Sequence, residues 1–571
     1  MTANRAKNKL LTRRQALKQF SAGAGFTILG SCGPLPKSAE TTAAEFNYGV
    51  ASGDPTQSAV VIWTRAVPTT VSEIANVSFE IAHDETFNDV VRRGMVQTSS
   101  QRDFTIKVDV TDLKPATTYF YRFASSDNTS AIGRTRTLPR RSANEIKFAL
   151  ASCANYPSGF FNAYREISKF SDLDAIIHVG DYIYEYAADG YDSKTGIALG
   201  RIHEPAHEII TLADYRERFA QYRADPDLQA AHATAPFITI WDDHETANNS
   251  WMDGSSNHHE EAEGSWQDRR DAALQAYFEW MPMRDPVVGV AAERLNRTYD
   301  FGDIASLHVI ETRLTGRDEP LSYSRDLPMN NGTPDVEKFR SEILNDPSRT
   351  MMGAAQEAWL EGELSSSKDR GIAWQILGNQ TVMARMNTPN FTEIMPQKML
   401  DASMAKGGYT AMWLERSKLG LPVSLDSWDG YPAARERLFD TVKSTDANLV
   451  VLSGDSHMFW ANNLHSAKDE KQVAIEIGTG SITSPGGYES LSDDPAIFDI
   501  AEKGVVAHNA DVAYANVHDH GFVVITATKS DIIADYFKVS TTKSKEYEAS
   551  RFLSVLSKLT DQGPSPFKAI S

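Results

Sequence analysis

The sequence predicts an α/β (α+β) protein in which a small N-terminal β-sandwich precedes a larger domain of β-sheet flanked by helices. Three observations carry that expectation. At 571 residues the chain exceeds one ordinary core, so two or more domains are expected. Residues 46–138 are short apolar or alternating runs divided by turns, the rhythm of antiparallel strands. From residue 144 onward, short apolar runs stop abruptly at polar residues and alternate with helix-like stretches.

The N-terminal 31 residues carry Arg5, Lys7, Lys9, Arg13, Arg14 and Lys18 and no acid, followed by the apolar run Phe20 to Leu29. That run is too short to span a bilayer as a helix, and the segment reads as a targeting sequence. Its core, Thr12-Arg13-Arg14-Gln15-Ala16-Leu17-Lys18, resembles the twin-arginine export signal. The resemblance implies passage through the twin-arginine translocase as a folded protein, to a periplasmic, membrane-anchored or secreted destination. Leu29-Gly30-Ser31-Cys32-Gly33 resembles a lipobox, in which Cys32 would be lipidated and form the one membrane attachment; plain cleavage is the alternative. Residues 32–45, small and polar with Pro34 and Pro36, read as a linker.

Within 46–138 the expected strands are Ala59 to Arg65, Val77 to His83, Phe104 to Val110 and Thr118 to Ala124. The stretch Leu113-Lys114-Pro115-Ala116-Thr117-Thr118-Tyr119 resembles the tyrosine corner of fibronectin type III sandwiches, where the hydroxyl bonds nearby backbone. The larger domain is expected over 144–545, with 546–571 as a C-terminal tail. Its strands are Ile146 to Ala151, Ala175 to Val179, Phe237 to Trp241 and Leu449 to Ser453, with helices at Leu212 to Tyr222, Asp268 to Trp280 and Ala355 to Leu364. Asn257-His258-His259-Glu260-Glu261 has chelating residue types but reads as a solvated surface loop.

The net charge of -19 excludes sequence-independent nucleic-acid binding, which needs a basic stripe. An acidic chain that binds phosphate needs cations or a few arginines at the site, and this points toward metals. The predicted strand ends supply the ligands. In Gly180-Asp181-Tyr182-Ile183-Tyr184, glycine permits a sharp turn, the aspartate can bridge two cations, and a tyrosine three positions on can reach the same cation. In Trp241-Asp242-Asp243-His244-Glu245 a hard oxygen ligand adjoins a histidine able to donate a proton, and Glu245 is placed to fix its tautomer. Gly454-Asp455-Ser456-His457 offers two ligands at alternate positions. Any one of these clusters is weak; three at strand ends argue together.

These motifs resemble, in altered form, those of the calcineurin-like or purple acid phosphatase-like metallophosphoesterases. Cys153 stands where the first aspartate is usual, Asp243 for asparagine, Asp455 for the first histidine of the last motif, and Gln380 where a histidine is expected. Nitrogen ligands have thus given way to oxygen, which suits calcium, while thiolate, phenolate and imidazole suit iron. The variant resembles the alkaline phosphatase D family of exported phosphatases and phosphodiesterases. The likeness runs from about Phe46 past Ser484 and includes Tyr48-Gly49-Val50-Ala51-Ser52-Gly53-Asp54-Pro55, Ile62-Trp63-Thr64-Arg65, Ala151-Ser152-Cys153-Ala154 and Ser427-Trp428-Asp429-Gly430-Tyr431-Pro432.

The resemblance implies a metallophosphoesterase β-sheet sandwich with one Fe3+ and one or two Ca2+. Iron would be held by Cys153, Asp181, Tyr184 and His457, and calcium by Asp181, Asp243 and Asp455, with Gln380 and Asp429 as further ligands or braces. The implied reaction is in-line attack on a phosphate monoester or diester by a metal-activated hydroxide, with His244 bonding the phosphoryl group or protonating the leaving alkoxide. Arg313 and Arg317 are candidate phosphate clamps, with surface salt bridges as the competing reading. A non-catalytic, calcium-stabilised surface binding protein is the alternative, and it leaves Cys153, Tyr184 and His244 unexplained. A peptidase lacks its signatures, since neither His-Glu-x-x-His nor Gly-x-Ser-x-Gly occurs.

Overall fold

The computed structural model describes residues 41–570 apart from Ser142 and Asp493. The basic leader and Cys32 lie outside the described residues. Two large sheets form the body. In the first, strands Ile146–Ala151, Ala175–His178, Phe237–Thr239 and Val50–Gly53 run parallel, and His520–Ala527, Asp531–Val539 and Ala549–Thr560 extend it antiparallel on one side. In the second, Ala305–Val309, Trp374–Gly378, Leu449–Ser453 and Gln472–Gly478 run parallel between antiparallel outer strands.

The sheets face each other because their strands alternate. Phe148, Leu150 and Ile177 from one sheet share a buried core with Ile376, Val450, Leu452 and Ile475 from the other. The intervening residues Leu377, Leu449 and Val451 point the opposite way, into a second core with Leu360, Leu364, Leu438 and Phe439 of the covering helices Ala354–Asp369 and Pro432–Thr445. Helix Leu212–Arg223 opens on a capping box between Thr211 and Asp214, and Trp266–Trp280 on the Ser265 hydroxyl. Among the described residues no helix is long and apolar enough to cross a membrane.

Both ends of the described chain are tied into the first large sheet. The N-terminal strands pack as the expected two sheets around one core, and one of those sheets is continuous with the larger domain. Val50–Gly53, Val60–Arg65 and Thr105–Val110 join the first large sheet through the pairing of Gly53 with Phe237, while Ile74–Ala82, Val90–Ser99, Thr118–Ala124 and Gly133–Arg136 form a separate four-stranded sheet. A side chain at Gly53 would press on the Phe237 carbonyl, so the junction needs glycine. The four-stranded sheet packs Ile81, Tyr119, Tyr121 and Phe123 against Val60 and Ile62. Tyr119 behaves as expected: its ring is buried and its hydroxyl accepts from the Lys114 amide at 2.8 Å.

The segment expected as a tail from 546 is instead structural. Ala549–Thr560 pairs along Asp531–Val539, and Lys568–Ile570 pairs with it in turn. Its apolar residues come in adjacent pairs such as Phe552-Leu553 and Val555-Leu556, which hid the strand period.

Candidate active site

All the expected ligands leave the same edge of the two sheets, just past the carboxyl ends of parallel strands. Ile146–Ala151 leads to Cys153, Ala175–His178 to Asp181 and Tyr184, Phe237–Thr239 to Asp242, Asp243 and His244, and Leu449–Ser453 to Asp455 and His457. The turns are unusual. Cys153, Asp181, Asp455 and His457, four of the six expected ligands, have φ of 60°, 57°, 58° and 62°. Non-glycine residues occupy that left-handed region at a cost, and such outliers cluster at functional sites. Gly180, with φ of 107°, lets the Asp181 turn lie directly on Asp242, whose backbone nitrogen would be 2.6 Å from any added Cβ. Cys153 N to Gly180 O (3.2 Å), Ala154 N to Asp181 O (2.9 Å) and Gly454 N to Gln380 O (2.8 Å) lace the turns together.

On one side the Cys153 sulfur, an Asp181 oxygen and a His457 nitrogen lie within 4.8 Å of one another. His457 Nδ1 donates to the Pro485 carbonyl at 2.8 Å, which leaves Nε2 as the nitrogen turned toward the cluster. Tyr184 completes the group: its hydroxyl donates to Asp181 at 3.0 Å, stands 3.3 Å from His457 Nε2 and accepts from Ser484 at 2.7 Å. On the other side oxygens of Asp181, Asp242, Asp243 and Asp455 lie within 4.8 Å of one another. Burial and the neighbouring charges push the Asp181 and Asp242 carboxyls, the Cys153 thiol and the Tyr184 phenol well above their usual ranges.

So many acids ionise together only beside compensating positive charge. Three buried carboxylate oxygens, Asp181 Oδ1, Asp242 Oδ2 and Asp243 Oδ1, have no hydrogen-bond partner. A thiol, a phenol, a carboxylate and an imidazole on one side, and carboxylates alone on the other, are the donor sets of a thiophilic redox metal and a hard oxygen-loving cation. The residues present therefore fit two adjacent metal ions sharing Asp181.

His244 lies beside this centre, its ring stacked on Tyr184 with centroids 4.1 Å apart. Glu245 does not fix its tautomer. The Glu245 carboxylate turns inward to accept the amides of Asp181 (3.1 Å), Tyr182 (2.5 Å) and Asp242 (2.8 Å), so it shapes the turns. The carboxylate on His244 Nδ1 is Glu185, at 2.7 Å and fully buried. Burial opposes a charge on His244, but Asp243, Glu185 and Asp181 together hold it well above the usual imidazole range.

Both arginines are fully buried, which corrects the surface salt-bridge reading. Arg313 sits among the aspartates: Nε donates to Asp242, Nη1 to Asp426 at 2.6 Å and Nη2 to Asp455 at 3.2 Å, with Asp243 3.5 Å away. Arg317 stands behind it, bonded to Asp426 and set over the Tyr431 ring at 5.0 Å, so it braces Asp426 and does not face the centre.

Gln380 and Asp429 are spent on structure. The Gln380 amide donates to the Trp241 and Ile310 carbonyls (3.1 and 2.9 Å) and its oxygen accepts from Thr312 at 2.7 Å, so three bonds hold it as a brace beside the cluster. Asp429 accepts from the Met386 amide at 2.8 Å and from Arg435 at 2.6 Å.

The loop expected to be solvated is partly folded in. Asn257 donates to Glu185 at 2.9 Å, and the buried His258 side chain meets Glu263 at 3.0 Å.

Sequence reasoning passed over Asp242, Asp426, Glu185 and Asn249. Asp242 carried a signal, being a second acid at the same strand end. Asn249, with φ of 50°, gives its amide to Asp243 Oδ2 at 2.6 Å; nothing local marks it.

Comparison with known proteins agrees with this architecture. Residues 148–536 match the family described as PhoD-like phosphatase, and residues 32–139 match the N-terminal domain of PhoD-like phosphatases. The chain is 36% identical over 528 residues to alkaline phosphatase D of Bacillus subtilis (strain 168), covering 90% of this chain and 81% of that protein. A solved structure titled "Structure of PhoD" superposes with a TM-score of 0.75 at 32% identity, covering 94% of both chains.

Proposed function

Because the chain belongs to the PhoD-like phosphatase family and is a phosphoric ester hydrolase, we propose that it hydrolyses phosphate monoesters and diesters outside the cytoplasm at an iron and calcium centre. Metal dependence goes with the family and with the clustered donors. In this reading Cys153, Asp181, Tyr184 and His457 hold Fe3+, and Asp181, Asp243 and Asp455, with Asp242 beside them, hold Ca2+. The observation that carries it is the set of buried oxygens on Asp181, Asp242 and Asp243 that lack hydrogen-bond partners, clustered within ligand distance of one another. When bound, the ions supply an activated water for attack on phosphorus and draw charge from the phosphate oxygens.

The chain's own residues do the rest. Arg313 neutralises the aspartates from within the protein. His244, with Nδ1 engaged, offers Nε2 as a donor to the phosphoryl oxygen or the departing alkoxide. The near-complete burial of Cys153, Asp181 and Tyr184 keeps bulk water off the ligands. Export by the twin-arginine translocase, with or without lipidation at Cys32, belongs to the same proposal and rests on the leader sequence.

The test is turnover of a para-nitrophenyl monoester and the matching diester by protein exported from its native host, with metal content measured on the same sample before and after chelation and calcium return. Iron and calcium in the protein, with activity lost to chelator and restored by calcium, are expected. Metal-replete protein without turnover of either ester would favour the calcium-stabilised binding protein instead.

A further inference from the structure

The hydrogen bond that orients the His244 imidazole comes from one buried carboxylate. Glu185 is fully buried and accepts His244 Nδ1–H at 2.7 Å on Oε2. Its other oxygen, Oε1, accepts the Asn248 amide at 2.7 Å and the Asn257 side-chain amide at 2.9 Å. Three donors on two oxygens leave the carboxylate no alternative rotamer with equal bonding. The anchoring continues outward. Asn257 also reaches Glu208 at 3.2 Å, Glu208 pairs with the buried Arg269 at 2.7 Å, and Arg269 pairs with Glu263 at 3.1 Å.

We propose that Glu185 is the positioning residue for His244, holding the imidazole with Nδ1 protonated and Nε2 turned to the reacting phosphate, and that the loop from Asn257 to Glu263 fixes Glu185 from outside. The geometry supports this over a purely structural role. With Nδ1 on Glu185, Nε2 is the nitrogen left to face Asp181 and Asp243, whose oxygens lie within 4.8 Å of a His244 ring nitrogen. Tyr184 stacks on one face of the ring at 4.1 Å and Tyr186 leans on it at 5.3 Å, so rotation about the Glu185 bond is closed off. An amide in place of the carboxylate cannot serve all three partners: if its oxygen stays on His244, its NH2 meets the Asn248 and Asn257 donors head-on, and if it flips, the NH2 faces Nδ1–H. The chain separation is long, 59 residues between Glu185 and His244 and 72 between Glu185 and Asn257, so two distant segments meet for this bond.

This inference rests on the reading of His244 as the proton donor to the departing alkoxide, and the test separates the two. Glu185→Gln, His244→Ala and the double variant are compared with wild type as metal-loaded full-length enzymes, on a para-nitrophenyl ester and on an alkyl ester with the same phosphoryl group. Metal content is checked for each.

Glu185→Gln is expected to lower kcat on the alkyl ester by about a hundredfold with KM nearly unchanged, and to lose much less on the para-nitrophenyl ester, whose leaving group needs no proton. In the His244→Ala background it should then cost nothing further. Equal loss on both esters, or a loss that multiplies with that of His244→Ala, would overturn the positioning role while leaving the His244 reading intact. Undiminished turnover by His244→Ala would overturn both. Asn257→Ala keeps the His244 contact and guards against misfolding: a change in the ratio of the two ester rates in the same direction as Glu185→Gln, but smaller, is expected, and a loss uniform across both esters refutes the role of the loop.

Discussion

Replacing Arg313 by methionine removes the guanidinium that four acids share. Arg313 is fully buried and bonds or closely approaches Asp242, Asp243, Asp426 and Asp455. The neighbouring carboxyls are already strained: burial holds Asp242 well above the usual range and carries Asp455 up to about 6. Removing one partner of a buried ion pair costs about 3–5 kcal/mol, because the other charge is left uncompensated. Methionine fills most of the volume, so packing adds little to that figure. Calcium bound by Asp243 and Asp455 would supply the missing charge; wild type gains from calcium as well, so the loss shrinks by RT ln of the ratio of the two calcium Kd values, about 1.4 kcal/mol for each tenfold tighter binding once the arginine no longer repels the cation.

The loss should therefore be close to its full size in chelator and much reduced in millimolar calcium. Urea unfolding followed by tryptophan fluorescence, for wild type and Arg313→Met in both buffers, measures it. A loss of equal size in both buffers would refute the idea that arginine and cation neutralise the same acids. A loss below about 1 kcal/mol in chelator would refute the buried-network argument itself.

Tyr184→Phe should leave the fold intact yet abolish any visible phenolate-to-iron absorption of the purified protein, checked by its optical spectrum beside its iron content. Gln380→Ala strands the Trp241 and Ile310 carbonyls and the Thr312 hydroxyl, so unfolding should become easier by about 1–3 kcal/mol while metal content per folded protein stays at the wild-type level. Acid should destabilise the protein through its buried neutral histidines. Burial lowers His178 to about 3 and His308 to about 4, both below the unfolded value, so their stabilisation is complete above pH 6.5 and falls as pH drops toward those values. Each should cost roughly 2 kcal/mol between pH 6.5 and 5, and replacing either with an uncharged residue of similar shape should flatten the pH profile of unfolding over that interval.

Much of the fold was legible because it is locally encoded. Thr118–Ala124, Ile146–Ala151 and Leu449–Ser453 were read to the residue, since an apolar run closed by a turn marks a strand wherever it is placed. The tyrosine corner was legible for the same reason, its hydroxyl reaching an amide only five residues away. Ala549–Thr560 was not, because its apolar residues come in pairs and only the neighbouring strand decides which of each pair faces inward. The N-terminal sandwich was legible from its strands, but nothing within residues 46–138 shows that Gly53 pairs with Phe237 and ties it to the larger sheet.

The sequence by itself determined which residue types stand at the strand ends, and with them a donor set that fits metals and a resemblance to one family. A ligand that follows its strand by two or three residues is carried to the sheet edge by local backbone geometry alone. Only the tertiary structure decided which partners those residues meet. It set Glu185 on His244 in place of the adjacent Glu245, buried Arg313 among acids 71 to 142 residues distant, and turned Gln380 and Asp429 toward backbone and Arg435. The physical reason is that neighbours along a tight turn point in different directions, so a charge or hydrogen bond finds its partner across packed elements, where sequence distance carries no information.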